Sequence, residues 1–207
     1  MKLFHFLCVA FFITGCATAY PQNWWKEVPA GEAKSWEILP QAAKQGEVIL
    51  SKRTELGVFS NFAPTPFVLD GKSYASLEGF WQSLKYPENK KDPRWKLAQW
   101  PYSRENVEQM VGFDAKKAGD FANQIMKKNK MDWVTYQGKK INYRENKKGE
   151  FYNLIRRATV AKLEQNPEVK TLLLKTGNLK LLPDHHQKPD SPPAWRYYEI
   201  YTDLRGE

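Results

Sequence analysis

The sequence predicts an α+β fold, a single helix-dominated domain with a small β-sheet or hairpin. Apolar residues recur at helical spacing over most of the chain, and short β-rich runs bounded by turn residues flank them. With 207 residues and 42% hydrophobic content, the chain can fill one packed core.

The elements follow in order. The opening stretch "MKLFHFLCVAFFITGCATA" carries one basic residue, Lys2, and an apolar run too short to span a bilayer. It reads as a signal peptide over residues 1–15, and "ITGC" resembles the lipobox of bacterial lipoproteins. That resemblance implies cleavage before Cys16 and acylation of its thiol and amine, a stable anchor holding an exported protein to a membrane of the bacterial cell envelope. The other cysteine, Cys8, leaves with the signal, so a disulfide and a thiol nucleophile are both excluded from the mature chain. Residues 16–45 read as a lipidated tether, broken by Pro21, Pro29 and Pro40, with Trp24, Trp25 and Trp36 docking on the domain or sitting at the membrane interface.

The domain proper is expected over residues 46–207. "EVILSK" reads as a strand and "PFVLDGKSY" as a hairpin turning at Asp70-Gly71. Ser76 offers an N-cap for a helix closed by Pro87, and "SRENVEQMVG" a helix capped by Ser103 and stopped by Gly112. Helices follow in "DAKKAGDFANQIMKKNK", in "GEFYNLIRRATVAKLEQ", and in "NPEVKTLLLKTG" with Asn166 as cap and Pro167 at its first position. "AWRYYEIYTDL" reads as a closing strand.

On a helical wheel with Glu78 at zero, Gln82 falls near about 40° and Lys85 near about 340°, beside an arc of Leu77, Phe80, Trp81 and Leu84. On spacing alone this polar stripe is a solvated, salt-bridged helix face. A carboxylate and an amine at a core boundary also suit an acid/base pair with shifted pKa values. The formal charge of +9 suits nucleic acid, anionic lipid or a phosphate-bearing small molecule without choosing among them.

The segment "FSNFAPTPFVLDGKSYASLEGFWQSLKY" resembles the signature of the NADAR (YbiA-like) family. Ser60, Asn61 and Phe62 match its S-N-F, Asp70 and Gly71 its hairpin, and Glu78, Gln82 and Lys85 its E-x-x-x-Q-x-x-K. "DAKKAG", "MDW" and "AKLEQNPEVKTLLLKTG" follow in family order, so the resemblance spans residues 46–195. It departs at Gly79, where the family has His, in an insertion after Trp133, and after Gly177, where Trp195 is kept and neighbouring glycines are lost.

The resemblance implies an enzyme that hydrolyses N-glycosidic bonds in ribosyl nucleotides or ADP-ribose- and NAD-related conjugates, without metal or cofactor. Glu78, Lys85 and Asp190 are then the catalytic residues, with Asp184 a lesser match for the aspartate. Asn61, Gln82, Trp133 and Trp195 bind substrate. Lys85 would hold phosphate, protonate the leaving base or form a Schiff base with C1 of an opened ribose. Partners are expected to be a nucleotide or ADP-ribose-type small molecule and, through Cys16, the membrane. Nucleic acid is not expected as the primary partner, although ADP-ribosylated bases fit the chemistry, and the chain is expected to be monomeric. "DHHQ" invites a metal reading, but neighbouring histidines rarely share an ion and the mature chain has no other His or Cys. The alternative function is a catalytically idle nucleotide-binding lipoprotein, and a third is a structural lipoprotein whose stripe faces water.

Overall fold

The computed structural model describes residues 20–207, so the expected signal peptide and Cys16 lie outside the described residues. The fold is α+β, with six α-helices and three two-stranded sheets among those residues. Strand β1 (Glu47–Ile49) pairs in parallel with β6 (Lys180–Leu182), Val48 against Leu181. Strands β2 (Phe67–Leu69) and β3 (Lys72–Tyr74) form one hairpin, and β4 (Trp133–Tyr136) and β5 (Lys139–Asn142) another. Both turn through two residues of positive φ, Asp70-Gly71 and Gln137-Gly138, the geometry a tight hairpin requires. The stretch 135–149, read as an insertion after Trp133, holds the turn and second strand of this hairpin and the loop after it.

Helix α1 (Leu77–Ser83) lies at the centre, against α2 (Arg104–Glu108) and α3 (Gly112–Lys128). Ser76 caps α1 by accepting from Gly79 N at 2.9 Å, and Ser103 forms a capping box with Asn106. The other end of α1 is tied down by Arg94, which is wholly buried. Its Nη1 donates to Leu84 O at 2.8 Å while its Nε and Nη2 fork onto Asp92 at 3.0 and 2.7 Å. Loss of one partner from such a buried pair costs about 3–5 kcal/mol, because the other charge stays buried.

Helix α4 (Glu150–Gln165) buries Phe151, Leu154, Ile155 and Ala158, as its spacing predicts. Phe80, Phe67 and Tyr74 join them in the main core, and full burial of each such ring is worth about 1.5–3 kcal/mol. Helix α5 (Pro167–Lys175) starts at the expected proline, but Asn166 does not cap it. Its amide donates instead to Pro66 O at 2.9 Å and Lys162 O at 2.8 Å.

Two further expectations are corrected. Gly112 opens α3 rather than stopping α2, which ends at Glu108. The segment read as a closing strand forms a 3-10 turn (Pro193–Trp195) and then α6 (Tyr197–Arg205), because Tyr197, Ile200 and Tyr201 are buried at i, i+3 and i+4. Residues 20–45 pack against the domain. Trp24 is fully buried in a second core cluster and donates to Glu55 Oε1 at 2.7 Å, and Trp25 donates to Glu47 O at 2.9 Å.

Candidate functional site

The Glu78–Gln82–Lys85 stripe is buried, its residues only 4–8% exposed, so the solvated-face reading does not hold. Helix α3 covers it. Gly119 presents no side chain there, and the Gln82 carboxamide occupies the space. Gln82 Nε2 donates to Glu78 Oε1 at 2.7 Å, and Lys85 Nζ donates to Gln82 Oε1 at 2.7 Å. An ammonium can only donate and an ionised carboxylate can only accept, so the amide orientation is fixed by its two neighbours. Burial pushes the Glu78 carboxyl up and the Lys85 amine down to about 8, each opposed by the other's charge. A proton shared along this relay leaves its net charge at zero wherever it sits.

The loop before α1 supplies the next groups. Glu78 N donates to Asn61 O at 2.8 Å, holding the Ser60–Asn61–Phe62 turn on the helix start. Beneath that turn, the fully buried Lys162 on α4 donates to Val58 O at 2.6 Å and Ser60 O at 3.2 Å. Among the described residues it has no carboxylate partner, and burial pushes its amine down to about 7. Phe62 meets Phe113 edge to face at 5.2 Å.

These groups open onto a cleft of about 560 Å³. Glu78, Gln82 and Asn61 line one part of it, with rings from Phe62, Trp81, Phe113 and Trp195 around them. Trp195 stands edge to face with Trp81 at 6.4 Å and donates to Tyr143 O at 3.3 Å. A second ionisable group belongs to the carboxyl ends of the parallel pair β1–β6, a usual location for ligand sites. Lys52, just past β1, donates to Asp184, just past β6, at 2.5 Å. Asp184 is fully buried, and the same carboxylate holds His185 Nδ1 at 3.0 Å. Its pKa is lowered, as the hydrogen bonds from His185 and Lys52 outweigh the effect of burial. His185 and Lys52 line the cleft, and the His185 ring lies parallel to Tyr197 at 6.1 Å. Lys116 and Asp120, an ion pair at 2.5 Å, complete the charged lining.

The structure thus brings together Glu78, Gln82, Asn61 and Trp195 at one cleft, with Lys85 behind Gln82 rather than on the wall. Trp133 and Asp190 lie outside it. Trp133 heads β4, its ring centre 5.0 Å from the Arg94 guanidinium and 4.2 Å from the Lys140 ammonium in two cation–π contacts. Asp190 is exposed in the loop before the 3-10 turn, whereas Asp184 lies buried behind the cleft and holds two of its lining residues, Lys52 and His185. Gly79 faces away from the cleft. A Cβ there would meet Met110 O at 2.5 Å, so the absence of His reflects the close approach of α2. Sequence reasoning missed Trp36, Lys52 and Phe113 as cleft residues, and weighed His185 only as a metal ligand. The alignment of Lys52 and Asp184 past two strands becomes visible only once β1 and β6 are paired.

An α+β domain with an aromatic-walled cleft over a buried carboxylate–amide–amine relay is the class of protein that fold and site define. The chain belongs to the family described as bacteriophage protein GP30.3, whose model matches residues 54–188. Among solved structures it is similar to the NMR structure of the E. coli protein YbiA, at 22% identity and a TM-score of 0.47, covering 76% of this chain and 83% of that one. No curated protein matched the chain.

Proposed function

We propose that the cleft hydrolyses the N-glycosidic bond of a ribosyl nucleotide or an ADP-ribose-related conjugate. The carrying observation is the buried Glu78–Gln82–Lys85 relay opening, through Glu78 and Gln82, onto a cleft walled by aromatic rings. The reaction class comes from the motif resemblance to the NADAR family, and the chemistry suits these residues. Cleavage sends the C1–N electron pair onto the base nitrogen, which takes up a proton, and leaves positive charge on C1. Water then adds to C1 and releases a proton.

In this reading Glu78 faces C1 and stabilises the developing cation. Gln82 holds the carboxylate in place, and Lys85, reaching Gln82 but not the cleft wall, sets the charge of the relay instead of binding phosphate or forming a Schiff base. His185, fixed by Asp184, is the cleft group that carries a proton between water and base. Asn61 orients ribose hydroxyls and Trp195 stacks on a ring.

The cations of the site, Lys52, Lys85 and Lys116, each accompany a carboxylate, Asp184, Glu78 and Asp120. The chain's positive charge therefore contributes little inside the cleft, and binding there rests on stacking and hydrogen bonds with the base and ribose. This pairing also favours a second reading, a catalytically idle binding protein, which turnover separates from the first. Melting curves with NAD, ADP-ribose and ribosylated bases test the proposal: one or more of them raises the melting temperature and is consumed, whereas a flat response to all contradicts it. From "ITGC" we further propose that acylated Cys16 anchors the chain to the cell envelope. Mass spectrometry of membrane-extracted protein checks this, and an unmodified N-terminus would refute it.

A further inference from the structure

We infer that Trp36, on a turn that precedes the family match, is a fixed stacking platform for the planar heteroaromatic ring of the ligand. The inference rests on the reading of the cleft as a site for N-ribosyl compounds and assigns the ring's position in it. Trp36 lines the cleft and is 42% exposed, one of the larger apolar side chains left open to water. An exposed ring on a loose loop would need no explanation. This one is held.

The turn is fastened twice. Glu37 receives a fork from Arg53, Nε to Oε1 at 2.6 Å and Nη2 to Oε2 at 2.8 Å, and the Glu37 side chain is only 4% exposed. Arg53 Nη2 also donates to Glu32 O at 2.6 Å, clamping the chain on the other side of the tryptophan. Ile38 N donates to Asp184 O at 2.8 Å, and Glu37 bridges to His185, so the same turn is sewn to the second ionisable centre of the cleft. Bidentate guanidinium–carboxylate pairs add geometric definition as well as energy. Here that definition holds a ring that is 42% exposed.

What surrounds the ring defines its ligand. Lys52 Nζ lies 5.5 Å from the Trp36 ring and 5.4 Å from the Phe62 ring, so one ammonium sits between two aromatic faces. Asp184 already neutralises that ammonium. The resulting surface offers flat π-area and no unpaired charge, which suits the base of a nucleoside rather than a phosphate. A rigid aromatic anchor also loses little conformational freedom on binding. The family match begins at residue 54, so this wall is supplied by the chain's own preceding segment.

The test is equilibrium binding of adenosine and of ADP-ribose to wild type, Trp36→Ala, Trp36→Phe and Glu37→Gln, with melting temperatures recorded for each. Trp36→Ala should weaken the probe that binds by at least about tenfold, within the range for losing one base–aromatic stack. Trp36→Phe should stay within about threefold of wild type, and both should melt within about 2 °C of it, since a half-open ring supports little of the core. Glu37→Gln should weaken binding in the same direction by loosening the turn. Binding by Trp36→Ala within about twofold of wild type, with the probe still bound, overturns the platform and leaves the reading of the cleft standing. If wild type binds neither probe, the platform and that reading fall together.

Discussion

The Gln82 carboxamide lies over Gly119, where any side chain would overlap it. This contact buries the relay, because α3 can approach α1 only where it carries no Cβ. Gly119→Ala should therefore leave the fold intact, helped by the roughly 1 kcal/mol that alanine gains over glycine inside a helix. The displaced amide should release Glu78 from Lys85. Turnover should drop by about 10- to 100-fold, the scale of an ångström-sized misplacement, as measured by chromatography of the released base. An alanine variant with wild-type turnover would show that the relay does no work.

Gly79 makes the opposite prediction. Its Cβ would meet three backbone carbonyls of the α2 region, at Met110, Val107 and Glu108, and backbone cannot rotate away. Gly79→Ala should destabilise by about 1–3 kcal/mol despite the better helix propensity, and Gly79→His by more. Urea unfolding followed by tryptophan fluorescence checks this. A stabilised alanine variant would mean that α2 yields easily.

Lys162 makes stability depend on pH. Its folded pKa is about 7 against an ordinary 10.5, so between those values the unfolded chain binds more protons than the folded one. Stability should therefore rise with pH across that window, by at most about 1.4 kcal/mol per unit for this group. Below about pH 7 the penalty of the buried charge is fully present. Lys162→Met removes this rise but leaves Val58 O and Ser60 O without their donor. The advantage of wild type over the variant should therefore grow from pH 6 to pH 9.5 in parallel melting curves. Lys85 acts in the same direction but is present in both proteins, so it cancels. A constant difference would mean that Lys162 keeps its proton throughout.

The parts legible in the sequence are those decided locally. Asp70-Gly71 specifies a hairpin by its own backbone preferences, and Ser76 and Ser103 supply caps within three residues. Pairing of β1 with β6 depends on residues far apart in the chain, and nothing near Leu181 announces a strand. Tyr197, Ile200 and Tyr201 carry β propensity, but their buried spacing is helical, so packing overrides it. The site shows the same division. Spacing put Glu78, Gln82 and Lys85 on one stripe, but whether the stripe was wet depended on Gly119, in another helix. Trp133 looked like a stacking residue, yet its ring already meets the cations of Arg94 and Lys140.

The central claim is that the Glu78 carboxylate does chemistry in this cleft, and Glu78→Gln tests it most directly. The change keeps the shape of the side chain and deletes the anion. Burial of that carboxyl opposes its charge, and the buried Lys85 amine, already pushed down to about 8, sheds its proton more easily once the carboxylate is gone, so the variant should stay folded, as its melting curve checks. With the ribosylated compound that wild type consumes, release of free base by Glu78→Gln, measured by chromatography under single-turnover conditions, should fall by at least ~100-fold. Binding of the intact compound should persist. Release at the wild-type rate by a folded Glu78→Gln protein would contradict the account.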